Sequence, residues 1–155
     1  MRMEKKGLLV AQDVWSAEVL GMIERAKELS PEEAETLGTA WTSQEGISYD
    51  PASFFTLHSW MSEIPHTQNL ALQNTWQHVS SVATVKGRAD ELDAAIEAEK
   101  TTEHAVRWMA IPDLAKAGAV EAARSAVLAV GIRDVIDDAA YQLLVGPWQK
   151  AFGAL

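Results

Sequence analysis

Cysteine is absent from this sequence, which excludes disulfides, thiolate metal sites and cysteine nucleophiles and permits a reducing compartment. Missing too is any apolar run approaching the roughly 18 residues of a membrane-spanning helix. The opening stretch MRMEKKGLLVAQDVW has a basic head, but its apolar part, Gly7 to Ala11, is too short for a signal-peptide core. A cytoplasmic protein with no membrane attachment is therefore expected.

Lysine and arginine are also missing from residue 28 to residue 85. That window holds Glu28, Glu32, Glu33, Glu35, Glu45, Asp50 and Glu63, and so carries most of the net charge of -9. A surface that neutralises phosphates cannot be built there, and no direct nucleic-acid binding is expected. The weaker alternative is the inverse one, a nucleic-acid mimic that offers carboxylates to a basic partner.

Familiar catalytic signatures are lacking as well: no G-x-S-x-G elbow, no phosphate-binding G-x-x-x-x-G-K-[ST] loop, no H-E-x-x-H and no G-x-G-x-x-G. Of the four histidines, only His66 stands in an E-x-x-H spacing, with Glu63, and Pro65 interrupts the helix that a dimetal bundle site would require. His104 follows Glu103 and lies seven residues after Glu97, so a helical face could join imidazole and carboxylate. No metal, cofactor or catalytic residue is expected from these patterns. A helical enzyme or ligand-binding protein with a pocket near His58, His66 or His104 is the different-class alternative.

What the chain does contain is helix punctuation. Asp13 precedes an amphipathic stretch, expected to be helical to about Leu29, with Val14, Leu20, Ile23 and Lys27 on one stripe. Ser30-Pro31-Glu32-Glu33 reads as an N-cap, a proline at the first helical position and a capping box, opening a helix to about Gln44. Asp50-Pro51 starts a third helix, which Pro65 ends. The uncharged segment from His66 to Val85 places Leu72, Trp76, Val79 and Ala83 at 4-3-4 spacing, an amphipathic helix with a neutral polar face. Lys86-Gly87-Arg88 reads as a turn. A fifth helix follows, with faces traced by Leu92, Ile96 and Val106 and an i,i+4 pair between Glu103 and Arg107. From Leu114 to about Val130 alanine dominates, which suits the central helix of a bundle because small side chains let axes approach. The expected fold is all-α: a single compact bundle of about six helices over residues 1–155, with 1–12 flexible.

Tryptophan is over-represented: Trp15, Trp41, Trp60, Trp76, Trp108 and Trp148 fall about one per helical element. Most are expected as core anchors. Trp41, Trp60 and Trp148 are the candidates for exposure. The segment from Trp41 to Trp60 contains the longest irregular stretch, so Trp41, Glu45, Tyr49, Asp50, Trp60 and Met61 form the expected partner-binding surface, an aromatic patch with an acidic rim. Gly146-Pro147 is expected to stop the last helix and let Trp148 and Phe152 fold back as a clasp.

The C-terminal segment carries a resemblance. Ile132-Arg133-Asp134-Val135-Ile136 and Tyr141-Gln142-Leu143-Leu144-Val145-Gly146-Pro147-Trp148, following an Ala-rich helix, resemble the end of a loose group of Ala- and Trp-rich helical proteins encoded by actinobacteria and their phages. The resemblance covers about a quarter of the chain and implies a phage or mobile-element setting, with no catalytic residues. The expected function is non-enzymatic: a small acidic interaction module that binds a host or phage protein. Self-association is also open to it, through the uncharged face of Gln68, Gln73 and Gln77 or through the Ala-rich helix.

Overall fold

Capping chemistry sets the first helix boundaries. In the computed structural model, which describes residues 15–42 and 70–153, Ser16 and not Asp13 opens α1 (Ala17–Lys27). Its Oγ accepts the Val19 N–H at 3.1 Å. The later start comes with a different buried stripe. Val19, Met22, Ile23 and Ala26 face the core at i, i+3, i+4, i+7, whereas Leu20 is half-buried and Lys27 exposed.

Helix α2 (Pro31–Thr42) begins with the capping box that its sequence predicts. Ser30 Oγ accepts the Glu33 N–H at 3.1 Å, and Glu33 Oε1 accepts the Ser30 N–H at 3.0 Å. Glu33 also receives both guanidinium nitrogens of Arg25, which ties α1 to the start of α2. The Arg25 hydrogen bond, seconded by the Ser30 N–H, holds the Glu33 carboxyl down to about 2 from 4.5. A lowered folded-state pKa stabilises the protein above the unfolded value, and this is lost as pH falls from about 4.5 toward 2. In urea titrations at a series of pH values, Glu33→Gln is expected to remove that part of the acid dependence. Ser30→Ala is expected to cost about 1 kcal/mol.

Helix α3 (Leu70–Val85) buries Leu72, Val79 and Ala83 and half-buries Trp76, the face expected from the 4-3-4 spacing. It ends in a Schellman turn. Arg88 N–H reaches Ala83 O at 2.7 Å, Gly87 N–H reaches Thr84 O at 3.1 Å, and Gly87 takes the left-handed φ of 71°. The Arg88 side chain then clamps the chain from a distance, donating to Gly131 O at 3.0 Å and to both oxygens of Asp134 at 3.3 Å.

Helix α4 (Ala89–Val106) corrects the expected face. It buries Ala94, Ala95, Ala98, Thr102 and Val106, while Ile96 is 45% exposed. The reason lies in its neighbour α5 (Asp113–Gly131), against which α4 packs extensively. An alanine-rich helix is best approached by another small face, so branched Ile96 is turned outward. The expected Glu103–Arg107 pair forms at 3.0 Å.

Helix α5 is the centre of the bundle. It touches all five other described helices and is buried almost all round from Ala117 to Ala129. Its crossing with α2 is a backbone contact: a Cβ added at Gly38 would lie 1.9 Å from Ala115 O, and one at Gly118 would lie 2.5 Å from Gly38 O.

A 3-10 turn (Arg133–Val135) leads to α6 (Asp138–Phe152), capped by Asp137 Oδ1, which accepts the Ala140 N–H at 2.8 Å. The helix does not stop at Gly146-Pro147. Pro147 sits inside it, and Trp148 and Phe152 continue along its axis without folding back. An interior proline costs roughly 3 kcal/mol. Here Tyr141, Leu144, Val145, Pro147 and Trp148 are buried together, and Trp148 meets Phe152 edge-to-face at 4.8 Å, contacts that a stop at residue 146 would forfeit. Gly153 ends the helix instead, with φ 95° and its N–H on Gln149 O at 2.7 Å.

The fold is thus all-α, a compact bundle of six α-helices among the described residues. No described helix is long and apolar enough to cross a membrane. The expected third helix after Asp50-Pro51 lies outside the described residues.

Candidate functional site: an aromatic pocket between α1 and α6

Helices α1 and α6 both rest on α5 with their backbones held apart, Arg25 of α1 reaching across to Phe152 of α6. The gap between them is a cavity of about 330 Å³. Tyr141, Trp148 and Phe152 recur at i, i+7, i+11 on α6 and form one wall; Met22 and Val130 contribute the apolar floor. Gly21 opens the α1 side, since a Cβ there would meet nothing within 4 Å.

Two guanidinium groups lie on aromatic faces at this pocket. Arg25 stands 4.6 Å from the Phe152 centroid and is already occupied by Glu33. Arg133 stands 4.3 Å from the Tyr141 centroid, is exposed, and has no carboxylate partner among the described residues. Its sequence neighbour Asp134 is turned to Arg88, whose hydrogen bond, foremost, holds that carboxyl below its ordinary value. Glu18 completes the rim.

A second polar feature lies inside the bundle. Glu121, on α5, is only 1% exposed and pairs with Arg124 one turn on. Arg124 also reaches Glu99 of α4 at 3.6 Å and lies 3.9 Å above the Trp76 ring of α3. Glu121 Oε2, Arg124 Nε, Trp76 Nε1, Ser80 Oγ, Thr102 Oγ1 and Ser125 Oγ are buried without a hydrogen-bond partner among the described residues, all on these three helices within a turn of the same contacts. Burial pushes the Glu121 carboxyl up to about 7. The Arg124 cation pulls the other way but is shared with Glu99, whose charge adds to the rise, so desolvation wins.

The expected partner surface is only partly covered by the described residues, and there it is corrected. Trp41 is completely buried, because α2 turns it inward alongside Leu37. Glu45, Tyr49, Asp50, Trp60 and Met61 lie outside the described residues, as do His58 and His66. Trp148, also expected to be exposed, is 3% exposed and shows only an edge to the pocket. Among the described residues the exposed tryptophan is Trp108, at 85%, in the turn after α4. His104 lines an open surface groove with Lys27, Glu97 and Lys100. Among the described residues no three His, Asp or Glu side chains converge in a metal-binding arrangement.

No family model, curated protein or solved structure matches this chain. Geometry alone therefore distinguishes the pocket. Sequence reasoning missed it because its walls come from α1, the end of α5, the 3-10 turn and α6. The available signal was Tyr141, Trp148 and Phe152 at helical spacing, and the expected stop at Pro147 hid it.

Proposed function

We propose that the protein is a helical interaction module that captures one large apolar side chain of a partner protein in the α1–α6 pocket. The carrying observation is the pocket's size and lining. A volume of about 330 Å³ lies at the low end of small-molecule sites, enough for a single large anchor but not for most cofactors. Its walls are rigid rings and Met22, the residue types over-represented where anchors bind. Against a catalytic role, the charged groups at the rim among the described residues are two arginines and Glu18, with no histidine or second carboxylate to act as a facing acid or base.

The charge-mimic alternative draws little from this arrangement, because Glu33, one of the acids of the basic-free window, is consumed by Arg25 and Ser30. The C-terminal resemblance supports a phage or mobile-element setting, in which the partner would be a host or phage protein met in the cytoplasm.

Gly21→Phe fills the pocket from a position with open space, so the fold should survive. Affinity capture with wild type, Gly21→Phe and Trp108→Ala proteins, each verified as folded, tests the proposal. The expected result is a partner retained by wild type and Trp108→Ala but lost at least tenfold by Gly21→Phe. An unchanged set of captured proteins with the filled pocket sinks it.

A further inference from the structure

We infer that the anchor entering the α1–α6 pocket is an aromatic side chain in an acidic segment of the partner, whose carboxylate is paired by Arg133. This rests on the proposed interaction function and adds the chemistry of what is recognised. The pocket offers two guanidinium groups and only one is available: Arg25 is held by Glu33, whereas Arg133 has no carboxylate among the described residues. Its sequence neighbour Asp134 is already engaged by both of its oxygens with Arg88.

Arg133 is also held in place, with its guanidinium carbon 4.3 Å from the centre of the Tyr141 ring. A guanidinium whose N–H donors are not taken by a carboxylate among the described residues can bind one through two parallel hydrogen bonds. Tyr141 belongs to the same wall as Trp148 and Phe152, so a ring lodged against Met22 and Val130 lies beside this donor fork. Glu18 on the rim repels a carboxylate on the α1 side and so directs it toward Arg133. The net charge of -9 disfavours an anion at long range, but screening within about 8 Å leaves the local cation to decide.

The test uses two blocked tripeptides, Ac-Asp-Trp-Asp-NH2 and Ac-Asn-Trp-Asn-NH2, titrated into the full chain while the backbone resonances of residues 17–25 and 130–153 are followed by NMR. Wild type is expected to bind the Asp peptide about tenfold more tightly than the Asn peptide, the usual scale of a charge-assisted pair. Arg133→Gln should reduce the Asp peptide to the level of the Asn peptide without altering the Asn affinity. Arg133→Lys should recover part of the difference, and Lys150→Gln, a cation in a separate groove, should change nothing. Equal affinity for the two peptides, a preference that survives Arg133→Gln, or no perturbation at pocket residues overturns the inference. Loss of a captured partner on Gly21→Phe would still support the interaction module in any of those cases, so the two failures are distinguishable.

Discussion

Gly38→Ala is expected to destabilise the protein by about 3 kcal/mol or more, at the upper end of what overpacking costs in a core. The added Cβ would stand 1.9 Å from Ala115 O, 2.6 Å from its carbonyl carbon and 2.8 Å from its Cα. All three are backbone atoms, so no side chain can rotate away, and α2 and α5 must separate along their most intimate contact. Gly118→Ala meets the Gly38 backbone at 2.5 to 3.1 Å and should behave similarly. For a chain of this size, 3 kcal/mol corresponds to a fall in Tm of about 6–12 °C. The same substitution at Gly21 provides the opposite sign. With open space around its Cβ in the middle of α1, Gly21→Ala should stabilise by roughly 0.5–1 kcal/mol by removing unfolded-state freedom. Urea midpoints of the three variants measure both effects. A Gly38→Ala protein within about 0.5 kcal/mol of wild type would disprove the backbone crossing.

The second large effect belongs to Glu121. Its folded-state pKa of about 7 lies above the ordinary 4.5, so the folded protein binds more protons than the unfolded chain between those values. Stability from this group is fully present below about pH 4.5, declines as pH rises through 7 and is then lost. Integrated over the window, the decline is about 3 kcal/mol. The charged groups that act on the carboxyl are Arg124 on its own helix and Glu99 from α4; α3 faces the cluster with Trp76 and Ser80.

Glu121→Gln keeps the shape and removes the charge. At pH 8 it should be more stable than wild type by about 1–3 kcal/mol, since a buried ion with an unpartnered oxygen is replaced by a neutral amide. Below about pH 4, where Glu121 is largely neutral in the folded and the unfolded states alike, the two proteins should match. A wild-type stability curve flat between pH 5 and 8, or a destabilised Glu121→Gln at pH 8, would show that the carboxylate is properly compensated. Glu33 works in the opposite direction and in a lower window, so the combined contribution of these two groups is greatest near pH 4.5.

How much of this was visible in the chain depends on how local the cause is. The Ser30-Pro31-Glu32-Glu33 start is realised atom for atom, because both capping-box bonds lie within four residues. The turn at Gly87 and the α3 face of Leu72, Val79 and Ala83 are equally local. The central position of the Ala-rich helix was legible too, since only a helix with small residues on every side can be surrounded closely. In contrast, the buried stripe of α1, the outward turn of Ile96 and the complete burial of Trp41 answer to neighbours far along the chain.

Pro147 shows the limit most clearly. Local rules place a helix end there, and Gly146 beside it strengthens the expectation. The helix nevertheless continues to Phe152, because the turn after the proline buries Trp148 and forms its contact with Phe152. That continuation is what builds the pocket wall.

Composition and short-range chemistry were therefore enough to establish an acidic, disulfide-free, all-helical chain, the starts of α2 and α4 and which helix lies at the centre. The packed bundle alone decided which faces are buried, that Gly38 and Gly118 meet, that Glu121 is sealed with one oxygen unpartnered among the described residues, and that Arg133 stands open over Tyr141. Capping and turn energies act between residues a few positions apart, whereas burial, desolvation and backbone contact arise between helices that the sequence separates by up to about a hundred residues.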